Sequence, residues 1–362
     1  MTVLGVAGCT ALLLIGFGIQ DSILPIVDKQ SGQLTHNDLT ISLSDEKALT
    51  MEQGLADTLD SSSAVHSWGA FYTKSTTLYN EEGGSADVSI VGAEDDARMT
   101  EYFTFRTRVG HDPIPFEEDS VILTEKTALN LGLSVGDTFY VEAADGSRVP
   151  LVLTGITENY MFTRLYLSGA QLESLLGGTP EWNTVYGLTG CTTEAEYNAL
   201  RTKLLGCNYV SSVSFTEDTT SMFGSLIGSL NYVVVLIIVC AAALAAVVLY
   251  NLISVNLAER KKELATIKVL GFYDKEVYRY IFREIELLSL IGSGVGLLLG
   301  VPLHRFIVLT VEMDQLMFIR TIAPSSYLLA VALTMLFTFV VCFAMRRHVR
   351  HISMVESMKA PE

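Results

Sequence analysis

The chain has 362 residues, of which 49% are hydrophobic and 18% charged, with a mean hydropathy of +0.38, and that mixture excludes a purely soluble multidomain protein. Residues 21–226 hold 30 of the 40 Asp and Glu but only 11 of the 24 Lys and Arg, so the net charge of −16 averages an acidic, water-facing block with a mildly basic apolar remainder. Nucleic acid is excluded as a partner, because phosphate binding needs a basic stripe and the large polar block is acidic.

Residues 1–20 carry no charge and predict a first transmembrane helix, since a bilayer core of about 30 Å needs about 20 helical residues. A signal peptide is disfavoured: no basic segment precedes the run and no small-residue cleavage site precedes Asp21. The expected reading is a true span whose cytoplasmic lead-in is missing, which would make the chain the C-terminal part of something longer. Residues 21–220 then read as a large mixed α/β extracytoplasmic domain. Strands are predicted at 39–43, 87–91, 121–124, 138–142, 149–154, 184–188 and 209–215, with an amphipathic helix over 45–59 after Ser44 and a turn at 81–84. Asp145-Gly146 predicts a hairpin in which both turn positions have positive φ. Capping boxes at Ser168 with Gln171 and at Thr193 with Glu196 announce two further helices. Cys191 and Cys207 flank the second of these, and a disulfide between them stays open, because it needs Cα atoms within about 7 Å. The acidity of the domain has two readings, solubility beside anionic headgroups or attraction of cationic ligands such as antimicrobial peptides.

Three more uncharged runs, 219–258, 287–303 and 321–345, predict helices at about 229–250, 285–305 and 322–345, four spans in all. The 40-residue run is about 60 Å long if wholly helical, so part of it is expected to project outside as a stalk. Basic residues near span ends are retained in the cytoplasm. Arg260, Lys261, Lys262, Lys268, Lys275, Arg279 and Arg283 follow the second span, and Arg346, Arg347, Arg350 and Lys359 mark a basic tail over 346–362. Both termini are therefore expected inside a cytoplasmic (inner) membrane and residues 21–220 outside. Gly292, Gly296 and Gly300 recur every four residues, a stripe that lets a neighbouring helix approach closely, and helix packing is preferred to a pore face because a pore would show polar groups. The inner loop, 256–283, alternates charge with Leu257, Leu264, Ile267 and Leu270, stops at Gly271, and restarts with Asp274 as the cap of a helix over 275–286.

No chemistry of the chain's own is expected. There is no GxxxxGK[ST] and no Gly-Lys pair, the six histidines show no HExxH spacing, and no GxSxG elbow occurs. Asp95-Asp96 and Glu117-Glu118 are adjacent in sequence, which points their side chains apart.

The segment from Glu259 to Val277 resembles the coupling-helix region of FtsX/MacB-type ABC transporter permeases, in which a stretch close to ERxxEIxxLRAxG joins the second and third spans. Arg260, Glu263, Leu264, Ile267 and Gly271 stand at matching positions, while Lys268 replaces the usual Arg and Val269 the usual Ala. The run VILTEKTALNLGLSVGDTF from Val121 is similar to the external domain of the same family, and the order of one span, a large domain, three spans and a basic tail agrees. The resemblance implies a permease subunit with no cofactor of its own, since ATP would be bound by a cytoplasmic ABC ATPase. It implies a second permease copy or homologous half, membrane lipid around both, and an ATPase contact made by Glu259, Arg260, Glu263, Leu264, Ile267, Lys268 and Gly271. The implied function is export or extraction of an amphiphile such as a lipoprotein, lipid or antimicrobial peptide. The alternative is regulation of cell-wall hydrolases, for which the external domain is typically much smaller.

Overall fold

The computed structural model describes residues 2–52, 54–143, 146–259, 273–313 and 315–350, together with Glu263, Thr266 and Ile267. They form two compact units. A helical unit takes the residues up to Leu24, Ile227–Val311 and the chain from Ile319 onward, and a sheet unit takes Pro25–Leu226 and Glu312–Phe318.

After α1 (Thr2–Ile23), the sheet unit opens with α2 (Ile26–Lys29) and a π turn, Gln30–Leu34. β1 (Leu39–Leu43) buries Leu39, Ile41 and Leu43 and leaves Thr40 and Ser42 partly exposed, the period of two that the sequence shows. The expected helix over 45–59 is instead two short ones, α3 (Lys47–Thr50) and α4 (Leu55–Asp60). The chain turns extended at Met51 and again at Gly54, the residue before α4, where only glycine fits because an added Cβ would sit 2.7 Å from the Met51 carbonyl oxygen. β2 (Val65–Tyr79) and β3 (Ser85–Ala93) form a long hairpin, its turn held by the Asn80 side chain, which accepts from the Gly84 N–H at 2.6 Å. α5 (Asp96–Tyr102), β4 (Val121–Thr124) and α6 (Glu125–Leu131) follow.

β5 (Thr138–Glu142) and β6 (Arg148–Val152) make the expected hairpin, but with a longer loop. The Ala143 N–H donates to Ser147 O and the Gly146 N–H to Ala143 O, a three-residue connection in which Gly146 takes φ +81°; Asp145 lies outside the described residues. β7 (Gly155–Thr157), β8 (Arg164–Leu167), α7 (Gly169–Leu176), β9 (Thr184–Thr189), α8 (Glu194–Leu205) and β10 (Val210–Phe215) complete the sheet unit. The sheet runs β10-β1-β9-β2-β3-β8-β4-β7, with β5 on β2 and β6 on β5; β3–β8 and β4–β7 are parallel and the remaining pairs antiparallel. Thr193 and Glu196 form a complete capping box on α8, whereas Ser168 accepts from the Gln171 N–H without the reciprocal bond. Cys191 and Cys207 are both unbridged and pack in the cluster around β1, α4 and α8, with Leu39, Leu59, Leu200 and Phe215. Each fully buried Leu or Phe there contributes about 1.5–3 kcal/mol.

The remaining helices are α9 (Thr216–Glu259), α10 (Asp274–Val311) and α11 (Pro324–Arg350). Among the described residues three stretches are long and apolar enough to cross a membrane: Val3–Leu34, Phe282–Val311 and Pro324–Ala344. Four were expected. In α9 the described residues give an apolar stretch over Val235–Asn251.

Candidate functional site

Of the expected coupling residues, Glu259 ends α9 and is exposed, Glu263 is helical and exposed, and Ile267 is helical and half-buried. Arg260, Leu264, Lys268 and Gly271 lie outside the described residues. The helix after the loop starts one residue earlier than the sequence suggests: Asp274 is its first residue, and the Tyr273 N–H donates to Glu276 Oε2 at 2.9 Å. A carboxylate three residues into a helix satisfies an N–H that the helix leaves unpaired. Ile267 faces this first stretch of α10 across a groove of about 880 Å³, lined also by Glu276, Arg279, Tyr280, Arg283 and Leu287. Positions 276, 279/280, 283 and 287 share one helix face, so the groove shows acid, base and aromatic groups above an apolar strip. That composition suits a protein surface.

The glycines of α10 lie against α1. A Cβ at Gly292 would fall 2.8 Å from Val6 Cβ, at Gly296 2.5 Å from the Ala7 carbonyl oxygen, and at Gly300 2.9 Å from Leu14 Cδ2. Gly294, on the opposite side, has nothing within 4 Å. Polar side chains run beside this stripe. Thr10 Oγ1 lies 3.1 Å from Thr334 Oγ1 and 3.4 Å from Ser293 Oγ, and Thr338 Oγ1 lies 3.4 Å from Ser289 Oγ, all fully buried between α1, α10 and α11. Each of Thr10, Ser293, Thr334 and Thr338 also donates to the carbonyl four residues back, so the track is closed on itself. The spacings 289/293 and 334/338 were the available sequence signal. Further along, Ser22 Oγ meets His304 Nε2 at 3.1 Å, and Asp21 accepts from the Ala323 N–H (2.9 Å) and Ser326 Oγ (2.6 Å) at the N-terminus of α11, where the helix dipole favours a negative charge.

In the sheet unit the sequence reading missed a buried ionic cluster. Glu158 has no exposed side-chain surface; Arg106 Nε donates to it at 2.6 Å and the Tyr160 hydroxyl at 2.5 Å, while His111 Nδ1 is 3.5 Å away. Burial, then the bond to Glu158, pushes the Tyr160 phenol well above the usual range. Arg108 grips Glu125 with two bonds of 2.8 and 2.9 Å, which raises its guanidinium further. The π turn joins the cluster through Gln33, which accepts from Arg106, and through Gln30, which accepts from the Tyr160 N–H and donates to Asn159. Glu312–Phe318 is fastened to the same region: Lys126 pairs with Glu312 at 2.8 Å, the Phe162 N–H donates to Gln315 O and the Met317 N–H to Tyr160 O. Apart from Glu158 and Tyr160, two positions from each other, the paired residues are 17 to 186 positions apart, and no local spacing announces them.

The periplasmic region of MacB from Actinobacillus actinomycetemcomitans is 13% identical, with a TM-score of 0.34 over 53% of this chain and 94% of that one. The extracellular domain of the noncanonic ABC-type transporter YknZ from Gram-positive bacteria is 14% identical, with a TM-score of 0.33 over 50% and 99%. A permease-protein domain from Porphyromonas gingivalis is 12% identical, with a TM-score of 0.30 over 50% and 90%. No curated protein matches the sequence. Two families match it: the MacB-like periplasmic core domain over residues 2–201, more than half of the chain, and the FtsX-like permease C-terminal domain over 235–354. An apolar helix, a mixed sheet unit and apolar helices carrying a glycine stripe thus belong to a membrane protein of the FtsX/MacB-type ABC transporter permease family, with an extracytoplasmic domain.

Proposed function

We propose that the chain is a permease subunit that couples ATP hydrolysis by a separate cytoplasmic ABC ATPase to movements of its extracytoplasmic sheet unit, for export or extraction of an amphiphilic substrate such as a lipoprotein, lipid or antimicrobial peptide. The reading includes α9 as a fourth span, both termini in the cytoplasm of an inner-membrane protein, and a second permease copy or homologous half beside it. ATP is held by the ATPase, and this chain contributes no nucleotide site. The observation that carries the reading is the groove between Ile267 and the first turns of α10, an exposed mixed-charge surface with an apolar floor within the stretch whose sequence resembles the coupling region. Charge pairing and insertion of Ile267 into an ATPase surface would transmit force through α10, whose glycine face rests on α1.

The test is ATPase stimulation in reconstituted vesicles. Glu263→Lys reverses one charge of the contact and is expected to lower the stimulated rate about tenfold or more, as loss of a charged interface contact costs about 2–5 kcal/mol, while membrane insertion is unchanged. A Glu263→Lys protein that stimulates as well as the parent would remove the coupling assignment.

A further inference from the structure

The chain enters α10 through a basic segment: residues 256–283 hold seven Lys and Arg against four Asp and Glu, the reverse of the balance over residues 21–226. Two of those bases, Arg279 and Arg283, stand four apart on α10, and both line the groove that Ile267 faces. Its volume of about 880 Å³ lies within the range of about 300–1,000 Å³ typical of ligand sites. Both arginines are exposed, and among the described residues neither guanidinium takes part in an ion pair or a hydrogen bond.

The two carboxylates of the groove do not answer them. Glu276 is turned back to the start of the helix, where its Oε2 accepts from the Tyr273 N–H at 2.9 Å. Glu284 is half-buried and already engaged. At about 100° of rotation per residue, Glu284 lies about 100° round the helix from Arg283 and about 140° from Arg279, so the two bases share one flank of the groove face and Glu284 stands on the other.

The apolar stretch of α10 begins at Phe282, which puts Arg279 and Arg283 where hydrocarbon gives way to water. Tyr280 is exposed between them, and tyrosine is a side chain that favours this level. Deeper in the same stretch Leu287, Leu290, Ile291 and Leu298 are exposed, and Gly294 among them has nothing within 4 Å of its Cβ position. Their spacing of three, four and seven keeps them on the side of Arg283 and Tyr280, away from the glycine face that meets α1, so a bare apolar strip descends from the groove into the span.

We infer that the groove holds an anionic phospholipid of the cytoplasmic leaflet, with Arg279 and Arg283 on its phosphate, Tyr280 against the glycerol region and an acyl chain running over Leu287 and the strip below. Guanidinium forks match phosphate oxygens, and basic pockets beside membrane-spanning helices on the cytoplasmic side recognise lipid headgroups in this way. Net negative charge is required of the occupant because the segment carries a basic excess and these two cations have no counterion among the described residues. A free phosphate would use the bases and leave the strip bare, and a soluble protein segment cannot follow the strip below the headgroups. The lipid takes the α10 side of the groove, while Glu263 stays exposed on the coupling stretch. The choice of leaflet rests on the proposed orientation of the permease, but binding itself requires neither nucleotide nor ATPase.

The experiment gives the full chain, in detergent micelles, dioleoyl phosphatidylglycerol or dioleoyl phosphatidylcholine and reads the lipid retained by native mass spectrometry. One phosphatidylglycerol per chain is expected, with phosphatidylcholine held about tenfold more weakly. Arg279→Gln together with Arg283→Gln should weaken phosphatidylglycerol retention about tenfold, the worth of one charge-assisted hydrogen bond, and Arg346→Gln together with Arg347→Gln in the basic tail should leave it unchanged. Equal retention of the two lipids, or parent-level retention in the groove variant, overturns the inference. An equal loss in the tail variant leaves only general charge attraction and overturns it too, and displacement of the lipid by inorganic phosphate makes the site one for a free anion. Should the double groove variant misfold, Arg279→Gln and Arg283→Gln are measured singly, and parent-level retention in both is equally decisive against the site. ATPase stimulation is read separately: a Glu263→Lys protein that stimulates like the parent and retains phosphatidylglycerol removes the coupling reading and keeps the lipid site, whereas coupling lost in Glu263→Lys beside unselective lipid retention does the reverse.

Discussion

Tyr160 couples a phenol to a carboxylate that has no access to water. Glu158 is buried, and Arg106 and Tyr160 donate to it at 2.6 and 2.5 Å. The phenol is consequently held in its protonated form far past the pH near 10 at which an unfolded tyrosine ionises. The unfolded chain sheds that proton first, so the contribution of Tyr160 to stability is complete below about pH 10 and declines as pH rises toward the folded value. Tyr160→Phe should therefore flatten the fall of unfolding free energy above pH 10, measured by denaturant titration of the full protein at several pH values; parallel slopes for parent and variant would contradict the assignment. Neither partner was legible beforehand. Glu158-Asn159-Tyr160 has the look of a polar loop, and the pairing with Arg106 depends on which strands become neighbours.

Among the elements, those with a local signature were readable. β1, β4 and β5 occur where alternation and turn residues put them, and the Thr193–Glu196 box starts α8 as its spacing implies. β2 was not read at all, because Lys74, Ser75, Thr76 and Thr77 make a polar run that only the β3 pairing turns into strand. The helix over 45–59 failed for the opposite reason: the periodicity was right, but the backbone turns extended at Met51 and restarts as a helix after Gly54. For α10 the stripe and its setting can be tested as a pair. Gly296→Val puts side-chain atoms where the Ala7 carbonyl oxygen already lies 2.5 Å from the Cβ position, and it should cost about 1–3 kcal/mol through overpacking. Gly294→Ala, with open space, should change thermal stability in micelles little or raise it slightly. Equal effects of the two substitutions would mean that α1 does not rest on this stripe.

At the scale of the molecule, family and arrangement were legible because hydropathy and charge segregate along the chain, whereas the tie between Glu312–Phe318 and the sheet unit was not, since a short connection between two apolar helices gives no hint of where it docks. Lys126 and Glu312 are both nearly buried, and removing Lys126 takes the cation from Glu312 Oε2 while the Phe318 N–H stays on Oε1. Lys126→Met should cost about 3–5 kcal/mol and expose 312–318 to limited proteolysis, and adding Glu312→Gln should restore part of the protection. Unchanged cleavage in Lys126→Met would show the pair to be dispensable. The same tie has a consequence for biogenesis. A sheet unit assembled from Pro25–Leu226 and Glu312–Phe318 is not finished when its last strand leaves the ribosome. Roughly 90 further residues must be made, about 5–20 s of synthesis, before Glu312 reaches Lys126. During that wait the nascent domain lacks one of its fastenings, and the insertion of α10 becomes a timing step in folding outside the membrane.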